Sequence, residues 1–172
     1  MNHHKSRGLE ESTAHRSTSN WQSRMVSWLM SDGLKVQEVP QGPATWCVLV
    51  ENAVGHKVTV TQALDRADSV IVAGGCTFDP QSLDQLPESE REAFLWDLRL
   101  FLVQLGLDFV GVQRPLQQVT VSLPVYCEGL THREFAGAVR RTFLGVFAVL
   151  GVVARRLGTP GPLREIDTTR VN

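Results

Sequence analysis

The chain has 172 residues, of which 42% are apolar and 20% are charged, and this balance is typical of one folded domain of ordinary size. Lys and Arg number 17 against 18 Asp and Glu, so the net charge of −1 gives no reason to expect nucleic-acid binding. The three cysteines, Cys47, Cys76 and Cys127, form no CxxC pair, which argues against a disulfide framework and a zinc site. We therefore expect free thiols and a reducing, cytoplasmic location.

The two ends of the chain differ from its middle in composition. Residues 1–19 carry almost no apolar side chains, so we expect a disordered arm, and this arm is too polar to be a secretory signal. Residues 159–172 begin with Thr159-Pro-Gly-Pro162 and are predicted to form a flexible tail. The region between them, 20–158, has the usual size of a single domain.

Three helices are predicted, near residues 20–32, 89–105 and 131–157. Each begins at a capping box, in which two side chains satisfy the free amides of the first turn, and each is followed by a glycine that can end it. The capping boxes are Ser19-x-x-Gln22, Ser89-x-x-Glu92 and Thr131-x-x-Glu134, and the glycines are Gly33, Gly106 and Gly158.

Six strands are predicted where the apolar period falls from 3.6 to 2. They are Lys35–Val39, Thr45–Asn52, Lys57–Ala63, Ser69–Phe78, Asp108–Gln113 and Gln117–Cys127. Gly74-Gly75 is expected to mark a bulge or bend in the fourth strand. The order α-β-β-β-β-α-β-β-α, with short links between strands, predicts an α+β fold with an antiparallel sheet and its helices packed on one side.

The third helix contains an uncharged run, residues 142–154, that is more apolar than one packing partner requires. At thirteen residues this run is shorter than the ~20 needed to cross a bilayer, so we expect no membrane association. Its larger side chains form a stripe that should pack on the sheet. That stripe is Phe135, Val139, Phe143, Val146, Leu150, Val153 and Leu157, and the matching stripe of the second helix is Phe94, Leu98, Phe101 and Leu105.

Both helices carry a second apolar stripe on another face. These stripes are Trp96, Leu100 and Val103 in the second helix, and Leu144, Ala148, Gly151 and Val152 in the third. They can cover each other inside one monomer, or they can form the interface of a homodimer across a twofold axis. In a dimer Trp96 would be the main anchor, because buried tryptophan dominates interface energies.

No residue pattern in the chain indicates catalysis. His3, His4 and His15 lie in the N-terminal arm, while His56 and His132 stand alone, so no metal or cofactor is expected. Cys127 has no basic neighbour in sequence that would lower its pKa and make it a nucleophile. We therefore expect a protein that is not an enzyme.

Two segments resemble a known group of proteins. They are Trp28-Leu-Met-Ser-Asp-Gly33, which leads into Val36-x-x-Val39, and Val125-Tyr-Cys-Glu-Gly-Leu-Thr131, which leads into the long last helix. With the order of elements, residues 20–158 look like an uncharacterised prokaryotic family of the type III secretion chaperone-like, YbjN-like α+β fold. The resemblance implies a small, often dimeric protein that binds another polypeptide.

The sequence thus leads to one main hypothesis and two alternatives. The main hypothesis is a chaperone-like interaction domain that forms a homodimer and binds a polypeptide client. The first alternative is a small-ligand-binding protein or enzyme that uses a polar sheet face formed by Thr59, Thr61, Thr120 and Ser122. The second alternative is an adaptor for acidic partners, which would bind through the arginines of the third helix.

Overall fold

The structure is a computed structural model that describes residues 21–40, 44–63 and 65–158. The predicted N-terminal arm, the predicted C-terminal tail and the capping residue Ser19 lie outside the described residues. The six strands are β1 (Lys35–Glu38), β2 (Ala44–Glu51), β3 (Lys57–Ala63), β4 (Ser69–Thr77), β5 (Asp108–Val110) and β6 (Gln118–Tyr126).

All six strands join in one antiparallel sheet, with the order β1-β2-β3-β4-β6-β5. Three helices, α1 (21–31), α2 (Glu88–Gln104) and α3 (His132–Leu157), accompany the sheet, and a short 3₁₀ turn covers Ser82–Gln85. The α+β class and the order of elements are confirmed.

The predicted starts of α2 and α3 have different outcomes. Thr131 caps α3 as expected, and its side chain and that of Glu134 satisfy each other's backbone amides. The capping box predicted at Ser89 is wrong, because α2 begins at Glu88 and its N-cap is Pro87, with no side-chain hydrogen bond. Ser89 therefore lies inside the first turn of the helix.

Two strand predictions also need correction. β5 is three residues long, because Gly111 leaves the strand at a φ of 87° and approaches the backbone of Gln118 closely. Gly74 marks no bulge, since the register between β4 and β6 continues without a shift from Ser69 to Thr77. An added Cβ at Gly74 would lie 2.5 Å from Cγ2 of Val146, so this glycine lets α3 approach the sheet.

The hydrophobic core lies between one face of the sheet and the helices. α3 packs across β3, β4 and β6, and α2 contacts β5 and α3. In α3 the predicted stripe is buried, except that Leu150 is half-buried and Val149 joins the core. In α2 the buried residues are Phe94, Leu95, Leu98 and Leu102, whereas Phe101 and Leu105 are only half-buried.

The first helix is fixed to the rest of the fold by contacts along its length. Met25 and Leu29 are buried, and the ring of Trp28 stacks on His132 at 5.6 Å between centroids. Nε2 of His132 lies 3.1 Å from Oδ1 of Asp32. These contacts hold the end of α1 against the beginning of α3.

Candidate functional site

The second stripe of α2 points away from the sheet and into solvent. Trp96 is 63% exposed, and Leu100 and Val103 are also exposed. Leu95, Leu98 and Leu102 lie on the opposite side of the helix and pack in the core. The side chains of the second stripe therefore have no role in the core. A row of exposed large apolar side chains on one helix is unusual for a protein that stays alone.

The second stripe of α3 divides into two parts. Leu144, at 50% exposure, and Gly151 face solvent, whereas Ala148 and Val152 are half-buried. The exposed residues of the two stripes therefore do not cover each other within one monomer. We name the exposed set the outer helical patch; it consists of Trp96, Leu100, Val103, Leu144, Phe147 and Gly151.

Phe147 belongs to this patch but was not predicted from the sequence. It is 60% exposed, and its ring meets the edge of His56 in the β2–β3 turn at 5.9 Å between centroids. It lies between the two predicted stripes of α3, three residues after Leu144. That spacing is the signal that could have found it.

Charges of opposite sign stand on the two helices of the outer helical patch. Glu90 and Asp97 are exposed on α2, and Arg140 and Arg155 are exposed on α3. A twofold axis that places α2 of one copy on α3 of the other would bring these opposite charges together. Of these arginines, Arg140 also lies 3.9 Å from Oδ2 of Asp32 within the same chain.

A second feature is an open hollow of about 820 Å³ beside the first half of α3. Its walls are the end of β6, the turn that follows and one flank of the helix. Leu123, Pro124 and Tyr126 come from β6, and Arg133, Ala138 and Arg141 come from α3. The two arginines form no ion pair with any other residue that the structure describes.

Comparison with known proteins identifies the family. Residues 22–152 match the model of an uncharacterized conserved protein family, DUF2299. The chain belongs to this family. An uncharacterized protein from Methanothermobacter thermautotrophicus, known from a crystal structure, has a similar fold, with a TM-score of 0.72 and 22% identity over 80% of this chain and 99% of that chain. No curated protein matches the chain.

The polar sheet face in this DUF2299 chain uses part of its hydrogen-bonding capacity within the sheet. Thr59 donates its hydroxyl to the carbonyl oxygen of Ala73 at 3.4 Å, and Oγ1 of Thr61 lies 3.4 Å from Sγ of Cys47. Thr120 and Ser122 are half-buried on the same face. The hollow described above lies elsewhere, at the end of β6, so these four side chains do not line it.

The cysteines are free thiols, as predicted. Burial raises the pKa of Cys76 to about 12. Burial, together with the carboxylate of Asp68, raises the pKa of Cys127 to about 12 as well. Both thiols therefore stay protonated near neutral pH, whereas the nucleophilic form is the thiolate. Among the described residues no group of three or more His, Cys, Asp or Glu side chains could hold a metal ion.

The uncharged run of α3 is too short to cross a bilayer, but the whole helix is longer than this run. The whole helix, His132–Leu157, is long and apolar enough to cross a bilayer by length and composition alone. Core helices of other folds meet the same criterion. Here Phe135, Val139 and Val153 are among the α3 residues that pack against the core of the sheet.

Proposed function

We propose that this DUF2299 protein is a cytoplasmic protein-interaction domain without catalytic activity. In this proposal it forms a homodimer through the outer helical patch and binds a polypeptide client, as a secretion-chaperone-like protein would. The exposure of Trp96 carries the proposal, since the largest apolar side chain on α2 stands in solvent at the start of a row that continues with the exposed Leu100 and Val103. Tryptophan is one of the residue types enriched among those that contribute most to the binding energy of an interface.

The charges support a second copy of the chain as the partner of this patch. A foreign partner would need its own matching charges, whereas a second copy supplies them through Arg140 and Arg155 against Glu90 and Asp97. The free thiols agree with the proposed cytoplasmic location, where glutathione keeps cysteines reduced.

Size-exclusion chromatography with light scattering tests the dimer. The wild-type chain should elute as a dimer, and Trp96→Glu should elute as a monomer that keeps its thermal stability, because the side chain makes no core contact. Val110→Glu is the matched control, since Val110 is 74% exposed and pairs with Thr120 on the polar face of the sheet, opposite the helices. A monomeric wild-type chain at concentrations up to the millimolar range would refute the dimer.

A further inference from the structure

The hollow beside α3 exists because the sheet and the helical layer both stop short at the same place. β5 pairs with β6 only from Thr120 to Ser122, although β6 continues to Tyr126. α2 ends at Gln104 and β5 begins at Asp108, and the turn between them lies beside Arg141, since an added Cβ at Gly106 would be 3.9 Å from Nη1 of that arginine. The first turns of α3 therefore stand beside an uncovered strand edge.

The direction of the main-chain groups along this edge follows from two hydrogen bonds. The amide of Cys127 donates to the carbonyl of Asp68 at 2.8 Å, and the amide of Phe78 donates to the carbonyl of Gln117 at 2.7 Å. Because these groups alternate in direction along an antiparallel strand, the odd-numbered residues of β6 face β4. The main-chain groups of Pro124 and Tyr126 consequently point toward the hollow.

This alternation explains how a proline fits inside a strand that pairs on both sides elsewhere. Pro124 has no N–H, but the missing donor is on the open side, so the pairing with Ile71 of β4 is retained. The open edge thus offers three main-chain groups, which are the carbonyl of Pro124 and both the N–H and the carbonyl of Tyr126. In the part of the chain that the structure describes, no strand pairs with them.

The side chains around this edge favour a particular kind of segment. Ala138 and the half-buried Gly137 leave room for a small apolar side chain on the helix side. Arg133 and Arg141 supply two positive charges, while the carboxylate of Glu134 is already used by the amide and hydroxyl of Thr131 at 3.0 and 2.7 Å. Glu128 is the remaining acidic side chain of the wall.

We infer that the hollow binds an extended segment of a client polypeptide, which adds to the β6 edge in line with β5, antiparallel to β6. The segment carries a small apolar residue toward Ala138 and an acidic residue toward Arg133 and Arg141. Main-chain hydrogen bonds supply the affinity and the arginines select acidic segments. This inference names the client-binding surface of the proposed function and rests on it, but it uses a surface separate from the outer helical patch.

A defined peptide pair tests the inference on the full chain. The probe is a short, fluorescein-labelled, end-capped peptide of alternating valine and threonine that ends in two aspartates. Its matched control carries N-methyl groups on every second amide, which removes the donors that would face β6. Fluorescence anisotropy should show binding of the first peptide and an affinity at least about tenfold lower for the second, because about 1.4 kcal/mol of lost hydrogen bonding corresponds to a factor of ten.

Protein variants locate the binding site and separate it from the dimer. Arg141→Glu should weaken peptide binding about tenfold or more and Tyr126→Pro should weaken it by removing the outward N–H, while Arg155→Glu, at the far end of the same helix, should leave it unchanged. Trp96→Glu should also leave it unchanged, so a failure of the dimer would not be mistaken for a failure of this site.

Three results would overturn the inference. They are equal affinity for the methylated and unmethylated peptides, unchanged affinity in Arg141→Glu, and binding of N-acetyl-aspartate as tight as that of the peptide. The last result would show an anion site instead of a strand-binding edge.

Discussion

Thr131 and Glu134 close the N-terminus of α3 by reciprocal hydrogen bonds. The amide of Glu134 donates to Oγ1 of Thr131 at 3.3 Å, and the amide of Thr131 donates to Oε2 of Glu134 at 3.0 Å. Four amides at a helix N-terminus lack partners within the helix, and this pair satisfies two groups at once. The same turn forms one wall of the hollow, so the cap also fixes the geometry of the proposed client site.

Alanine substitutions at the two predicted caps should differ in their effect on stability. Thr131→Ala should lower the free energy of unfolding by about 1 kcal/mol, because an amide of the first turn loses its acceptor. Ser89→Ala should change it by less than about 0.5 kcal/mol, since Ser89 lies inside α2 and caps nothing. Urea unfolding monitored by circular dichroism measures both values, and a loss at Ser89 as large as that at Thr131 would contradict the assignment.

The pH dependence of stability reports the same cap through Glu134. Hydrogen bonds from the side chain and backbone of Thr131 lower the pKa of Glu134 below its usual value. A carboxyl group with a lowered pKa in the folded state stabilises the fold above its unfolded pKa, and this contribution is lost as the pH falls through the folded pKa.

The advantage of the wild type over Glu134→Gln should therefore be constant near neutral pH and should shrink as the pH falls below the ordinary glutamate range. Thermal unfolding of both proteins across a pH series measures this difference. An advantage that grows toward acidic pH would show that the ionised carboxylate does not stabilise the cap.

At the scale of helices and strands, the close contact of α3 with β4 depends on the absence of a side chain at Gly74. An added Cβ at Gly74 would lie 2.5 Å from Cγ2 of Val146 and 3.0 Å from Cγ1 of Val58, both inside the core. Gly74→Ala should therefore destabilise the fold by about 1–3 kcal/mol through overpacking. Gly137→Ala is the control, because an added Cβ there meets no atom within 4 Å and alanine favours a helix.

Chemical denaturation of the Gly74 and Gly137 variants measures whether each substitution lowers or raises the free energy of unfolding. A double variant, Gly74→Ala with Val146→Ala, should recover part of the loss, since it removes the atom that the new methyl group meets. If Gly74→Ala alone is as stable as the wild type, α3 does not approach β4 as closely as the structure shows.

The helices and strands were largely predictable from local sequence patterns, whereas the contacts between them were not. The capping box at Thr131 and the glycine at position 158 predict the two ends of α3 to within one residue, because capping and termination are set by neighbours in sequence. The true start of α2 at Glu88 was missed, since Pro87 provides the extended N-cap geometry without any side-chain signal. The role of Gly74 depends on Val146, which lies far along the chain, so no local pattern could distinguish a bulge from a close approach.

For the molecule as a whole, both candidate surfaces arise where layers are incomplete. The outer helical patch was predicted in its main residues, because an excess of apolar side chains on a helix is visible in its periodicity. The hollow was not predicted, since it depends on where β5 begins to pair with β6, at Asp108, and on where α2 ends, at Gln104. The similar archaeal structure shares this fold, and the proposed activity depends on the two surfaces that the fold leaves open.

Gly151 connects the stability of the monomer with the proposed assembly. It lies exposed in the interior of α3, and an added Cβ would meet nothing within 4 Å in the monomer. Gly151→Ala should therefore raise the stability of the monomer by up to about 1 kcal/mol, because alanine favours the helix. In the homodimer the same methyl group would lie where a small residue lets the partner helix approach, so association should weaken severalfold.

Analytical ultracentrifugation combined with urea unfolding separates these two effects. Gly137→Ala serves as the comparison, because it makes the same change on α3 outside the outer helical patch and should stabilise the monomer without affecting association. Stabilisation by Gly151→Ala together with unchanged association would place the dimer contact elsewhere on the helical layer. Weakened association at Gly151 alone would fix the twofold contact on the exposed face of α3.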